Sequence, residues 1–277
     1  MSADPRLTLA RPDLASSALE GIVRAARFEE ARRMRLVIPV AAVRAAASVD
    51  AEQVDQLLFG EAFGVLDVED GFAWGQAARD GYVGWVEAAG LSAREMTPTH
   101  RVSVLRAFSY LEPSIKAPSR GPFSLGALVT ATETREGLTH VEGGGWVPTA
   151  HLAAIGADFA DPVETALRFV GAPYLWGGRD SLGIDCSGLV QQALYAAGRA
   201  CPRDTDLQAS LGVAAPPDAL GRGDLVFWRG HVGMMLDGER LLHANAHHMA
   251  VTTEPLAEAT ARIEAGGGGG PTAFRRI

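Results

Sequence analysis

Cys186, one of two cysteines in the chain, stands in the run Asp185-Cys186-Ser187-Gly188-Leu189-Val190, where a helix is expected to begin. Asp185 is a good N-cap, and Leu189, Val190, Ala193, Leu194 and Ala197 recur at helical spacing up to Gly198, which can adopt the left-handed conformation that ends a helix. The thiol therefore falls in the first turn. Unpaired N–H groups and the positive end of the helix dipole there favour thiolate, against an ordinary cysteine pKa of about 8.5. Asp185 opposes this with its own charge, so a base is needed. Leu225-Val226-Phe227-Trp228 and Val232-Gly233-Met234-Met235-Leu236 read as apolar strands, with His231 opening the second and Leu241-Leu242-His243 following the Asp237-Gly238 turn signal. An antiparallel pairing that sets Met234 or Met235 against the Leu241-Leu242 pair brings His231 and His243 together. The chemistry of such a set is nucleophilic catalysis: His231 takes the thiol proton, and His243 orients the imidazole and supports its charged form.

A lone cysteine is more often a buried packing residue, but small Ser187 and Gly188 leave room for a carbonyl, and the Cys186 N–H can serve an oxyanion at the helix start. The elements that must position these groups begin at Asp161-Pro162-Val163-Glu164, a capped helix start with Pro at the first position, expected to run to about Val170. Gly171-Ala172-Pro173 ends it, and Tyr174-Leu175-Trp176-Gly177-Gly178 leads towards the nucleophile helix. Beyond Gly198, a polar loop holding Arg203 and Asp204 enters a short helix; these two charges either contact substrate carboxylate or amine groups or simply cap and solvate the loop. Gly266 to Gly270 form a flexible tract, and Phe274-Arg275-Arg276-Ile277 a last strand.

From Asp161 onward the chain resembles the NlpC-type (NlpC/p60) cell-wall cysteine peptidases. The resemblance rests on the order of Tyr174-Leu175-Trp176-Gly177-Gly178, Asp185-Cys186-Ser187-Gly188-Leu189, Gly223-Asp224-Leu225, His231-Val232-Gly233 and Leu242-His243-Ala244. It implies a papain-like α+β domain with Cys186, His231 and His243 as its triad. It also implies that Tyr174, Asp185 and Ser187 shape the substrate pocket, so that Asp185 would both cap the helix and meet an amine.

Upstream, residues 13–34 carry helix formers with apolar spacing through Leu14, Ala18, Ile22, Ala25, Ala26 and Phe28, which predicts an amphipathic helix. From Arg35 the pattern turns to short strands at about 36–40, 57–66, 72–76 and 82–86. Gly84-Trp85-Val86 followed by Leu91 recurs as Gly145-Trp146-Val147 followed by Leu152, which points to two small barrels resembling bacterial SH3-type domains. The expected division is 1–34 helical, 35–95 and 96–158 barrels, and 159–277 catalytic. Glu61 and Tyr82 of the first barrel align with Ala127 and Gly143 of the second. In relatives of the resembled family these two meet the free amine of the substrate; otherwise Glu61 is a solvated turn residue and Tyr82 a core aromatic.

Of 277 residues, 47% are hydrophobic and 21% charged, with a net charge of −8 and no Arg-rich run interleaved with aromatics, which argues against nucleic acid as a partner. Residues 37–49 are too short to span a bilayer and are interrupted by Arg44. Met1-Ser2-Ala3-Asp4-Pro5-Arg6 opens no signal-type apolar core, and a required thiol suits a reducing compartment, so a cytoplasmic location is expected. A Cys186–Cys201 disulfide would need the two ends of one helix to meet. His243, His247 and His248 lack a suitably spaced acidic partner and a shared helix face, so neither a metal nor another cofactor is expected.

The resemblance implies hydrolysis of the bond between γ-D-glutamate and a diamino acid, meso-diaminopimelate or L-Lys, in free murein peptides with an unblocked N-terminal L-Ala. Peptidoglycan recycling is the role that follows. The alternatives are an amidase or acyltransferase on another small substrate, or a non-catalytic wall-peptide-binding protein in which Cys186 is inert.

Overall fold

The computed structural model describes residues 4–277, which form two compact units meeting in sequence at Ile155 and Gly156. Most of the regular structure is sheet. Among the described residues no helix is long and apolar enough to cross a membrane.

In the first unit a seven-stranded antiparallel sheet runs from Arg32–Leu36 to Leu91–Ser92 around Leu36, Val43, Leu57, Phe63 and Val86. Within it Val40–Arg44 alternates buried and half-buried positions. The stretch expected as one strand at 57–66 is two, Gln53–Leu58 and Ala62–Glu69, because Gly60 turns the chain at φ 77°. A Cβ there would lie 1.9 Å from the Leu128 carbonyl oxygen. Leu58 and Phe59 contribute instead to a second cluster with Val102, Phe123, Val129 and Val147, enclosed by a five-stranded and a three-stranded sheet.

The amphipathic helix expected over 13–34 does not form; of the expected 1–34 division, residues 1–3 lie outside the described residues. Leu14–Ser16 pairs in parallel with Arg27–Glu29, only Ser17–Leu19 makes a helical turn, and Arg32–Leu36 pairs with Ala62–Glu69. The reason is what each conformation can bury. Half of the helical stripe is alanine, and its Ile22 stays 74% exposed, whereas the extended chain buries Leu14 against Leu9, Leu66 and Trp74 and supplies backbone partners to a sheet edge. Glu61 is not a solvated residue. It is 2% exposed, accepts the Leu58 N–H at 3.0 Å and pairs with Arg79 at 3.5 Å, while Tyr82 is buried.

The second unit is built on a six-stranded antiparallel sheet in the spatial order Val213–Ala214, Ala273–Arg276, Leu225–Trp228, His231–Met235, Arg240–Asn245, Ala250–Pro255. The helix Leu256–Ala265 covers part of it through Ala259 and Ile263, against Val226, Trp228, Met235 and Leu241. The helix after Asp161 is Pro162–Leu167, shorter than expected, with Asp161 accepting the Val163 N–H at 2.8 Å. The helix that begins at Cys186, Cys186–Ala196, is buried along its whole length. Gly198 follows it at φ 71°, the left-handed conformation expected there.

Candidate active site

Cys186 is the first residue of its helix and 5% exposed. Asp185 caps it, accepting the Gly188 N–H at 2.8 Å and, from the loop before, the Gly177 N–H at 2.9 Å. The helix start approaches that loop so closely that a Cβ on Gly188 would lie 2.2 Å from the Gly178 carbonyl oxygen. Arg203, 1% exposed, donates to both Asp185 oxygens and, at 2.7 Å, to the Ser187 hydroxyl. Arg203 is therefore not a solvated loop charge but a buried counter-ion to the cap. Asp204 is the N-cap residue of the short helix Thr205–Gln208.

Burial pushes the Cys186 thiol up to about 12, and Asp185 adds to this; the Val232 and Ser187 backbone N–H groups and the Arg203 charge pull the other way. The resting sulfur therefore keeps its proton at neutral pH. Tyr174 lies close enough to feel the cysteine: burial first, then the charges of Cys186 and Asp185, raise its phenol.

His231 opens its strand, and the hairpin register is Met234 opposite Leu242 and Met235 opposite Leu241, as the turn signal predicts. That register makes His231 and His243 diagonal neighbours on one face of the sheet. Their rings meet through Nε2 of His231 and Nδ1 of His243 at 2.8 Å. In the next strand His243 lies opposite Thr252 and Leu241 opposite Glu254, so Glu254 stands diagonal to His243 and reaches its Nε2 at 2.6 Å. Arg262, on the helix Leu256–Ala265, holds the Glu254 carboxylate at both oxygens, 2.5 and 2.6 Å. Burial drives both imidazoles towards the neutral form, His231 down to about 3 and His243 down to about 4.

Glu254 and Arg262 are absent from the sequence-based set. The helix that carries Arg262 leaves a signal, Leu256, Ala259 and Ile263 at helical spacing before the glycine tract. Nothing local marks Glu254, whose relation to His243 depends on the register of a further hairpin. The other histidines near the site are engaged elsewhere: His248 Nδ1 lies 3.0 Å from Asn245 Oδ1, and its ring packs edge-on against His247.

The arrangement can generate a nucleophile only when the thiol proton moves to His231, with backbone N–H groups at the helix start ready for negative charge. Residues 171–263 match the NlpC/P60 family, and residues 43–91 match the bacterial dipeptidyl-peptidase Sh3 domain. The chain is 39% identical over 92 residues to the γ-D-glutamyl-L-lysine dipeptidyl-peptidase of Bacillus subtilis (strain 168), covering 30% of this chain and 31% of that one. It is 36% identical over 97 residues to dipeptidyl-peptidase 6 of Lysinibacillus sphaericus, covering 35% of this chain and 36% of that one. The matched stretch thus spans about a third of the length of these curated relatives. Among solved structures, an NlpC/P60 family protein from Bacillus cereus ATCC 10987 shares the fold, with a TM-score of 0.76 at 20% identity over 88% of this chain and 99% of that one.

Proposed function

We propose that this chain, which carries an NlpC/P60 domain behind a bacterial SH3 domain and is homologous to γ-D-glutamyl-L-lysine dipeptidyl-peptidases, is a cysteine peptidase acting on free murein peptides. The observation that carries the reading is the placing of Cys186 at a helix start next to the strand whose His231 is paired with His243. Sγ attacks the γ-D-glutamyl carbonyl while its proton passes to His231. The oxyanion accepts the Cys186 N–H, and collapse breaks the C–N bond as His231 gives the proton to the leaving diamino acid. Water, deprotonated by the same imidazole, then opens the thioester and frees the dipeptide acid and the thiol.

The bond cut lies between γ-D-glutamate and meso-diaminopimelate or L-Lys, in peptides with an unblocked N-terminal L-Ala, and the role is recycling of wall fragments. Support for this finer reading comes from the names of the relatives and from the polar oxygens of Asp185 and Ser187 beside the nucleophile. A required free thiol suits the cytoplasm. Cell fractionation tests that location, and recovery in the medium would reject it.

The decisive experiment is mass spectrometry of products from L-Ala-γ-D-Glu-meso-diaminopimelate and from its N-acetylated form. Release of diaminopimelate from the free peptide alone, lost in Cys186→Ala, is the expected result. Equal cleavage of both would discard the amine requirement, and Glu61→Gln and Tyr82→Phe measure whether those two side chains share in it. Cleavage only when an amine acceptor is supplied would replace the hydrolase with a transferase.

A further inference from the structure

Glu254 and Arg262 take no part in the chemistry just described, yet the structure joins them to it without a break: Arg262 to Glu254, Glu254 to His243, His243 to His231. We propose that the Glu254–Arg262 pair sets the proton positions on both imidazoles, holding His231 as its Nε2–H tautomer with Nδ1 bare to receive the Cys186 proton. The inference rests on the reading of Cys186 as nucleophile and His231 as base.

The argument is one of donors and acceptors. A guanidinium only donates, and Arg262 donates to Oε2 through Nη1 and to Oε1 through Nη2, so both carboxylate oxygens must accept. Burial acts to raise the Glu254 carboxyl, but the Arg262 and His243 hydrogen bonds outweigh it and hold the group at about 2. An ionised carboxylate has no proton to give. The 2.6 Å contact to His243 therefore requires the hydrogen on Nε2 of that ring. A neutral imidazole carries one such hydrogen, which leaves Nδ1 of His243 as an acceptor. The 2.8 Å contact then requires a hydrogen on Nε2 of His231, and the bare nitrogen of that ring is Nδ1.

Without a fixed acceptor at position 254 the opposite chain would be equally allowed. An amide N–H could point at Nε2 of His243, which would donate through Nδ1 to Nε2 of His231 and leave His231 with a hydrogen on Nδ1. A ring in that state cannot take a thiol proton at Nδ1. Once His231 does become an imidazolium, the Glu254 charge stabilises it, opposing burial and the His243 and Arg262 charges. Glu254 and Arg262 are thus positioning residues.

The test is long-range 1H–15N correlation of the imidazoles in the whole ¹⁵N-labelled protein at pH 7, with the rings identified by loss of signal in His231→Ala and His243→Ala. The expected wild-type spectrum shows Nε2–H on both rings. Nδ1–H on either would overturn the proposal, whatever the enzyme hydrolyses. In Glu254→Gln, which preserves shape, a mixture of tautomers is expected, with kcat down about a hundredfold and KM within about threefold. Unchanged tautomers and kcat in a folded Glu254→Gln protein would also overturn it. A wild-type protein with the expected tautomers that cleaves no murein peptide would remove the substrate reading and leave this one standing.

Discussion

Arg203 grips Asp185 through two parallel hydrogen bonds, Nη1 to Oδ1 at 3.0 Å and Nη2 to Oδ2 at 2.5 Å, with both side chains nearly sealed from solvent. The cap of the nucleophile helix is thereby half of a buried ion pair, and its negative charge, which opposes thiolate formation, is largely cancelled. Removing the arginine would leave that charge unmatched one residue from Cys186. Arg203→Met should cost about 3–5 kcal/mol in urea unfolding, and activity should fall in whatever protein remains folded. A loss below about 1 kcal/mol would show that the pair is not a structural keystone.

The approach of the helix start to the preceding loop gives a second expectation. Gly188→Ala must displace the Gly178 carbonyl, since the added carbon would sit 2.2 Å from its oxygen. Overpacking of this kind costs about 1–3 kcal/mol and should move the Cys186 N–H from its place. Thermal unfolding and kcat measured on the same variant check both effects, and wild-type values for both would refute the steric argument.

Resting protonation can be read from thiol chemistry. With Cys186 pushed up to about 12 by burial and then by Asp185, and His231 held near 3 by burial, the ground state holds a neutral thiol and a neutral imidazole. Alkylation of Cys186 by iodoacetamide should rise steadily with pH between 6 and about 9, by about tenfold per unit, because only thiolate reacts. A flat, fast rate from pH 5 upward would instead reveal a thiolate–imidazolium pair already formed.

Acid stability follows from the same burial. In the unfolded chain the histidines titrate near 6.5, whereas in the folded protein burial holds His243 down to about 4 and His231 to about 3. The unfolded state therefore binds more protons across this interval, and stability is lost as pH falls from about 6.5 towards 4. Each imidazole should contribute about 3 kcal/mol to the loss by pH 4, and the two together on the order of 6 kcal/mol. Glu254, ionised down to about 2, adds nothing to the slope in that window. Urea midpoints at pH 7, 5.5 and 4 check this, with His243→Asn expected to flatten the dependence.

Local rules made Cys186, His231 and His243 legible in the sequence. A cap, a run of apolar residues at helical spacing and a terminal glycine place Cys186 at a helix start; a two-residue turn signal and the side-chain period of a strand bring the histidines to one face. The Ala-rich N-terminal stretch misled for a related reason. Its helical spacing is real, but spacing does not say what a face will find to bury, and the extended chain had Leu9, Leu66 and Trp74 to pack against.

Tertiary structure alone decided what surrounds Cys186 and the two histidines. Arg203 lies 18 positions from Asp185, and nothing in its polar loop distinguishes a solvated charge from a buried counter-ion. Glu254 and Arg262 were equally unmarked, since their bearing on His243 depends on the pairing of Arg240–Asn245 with Ala250–Pro255 and on the helix that follows. Periodicity and turn chemistry act over a few residues and can be read in order along the chain. Charge pairing and proton placement depend on which groups are desolvated together, and that is settled only when distant strands and helices close around them.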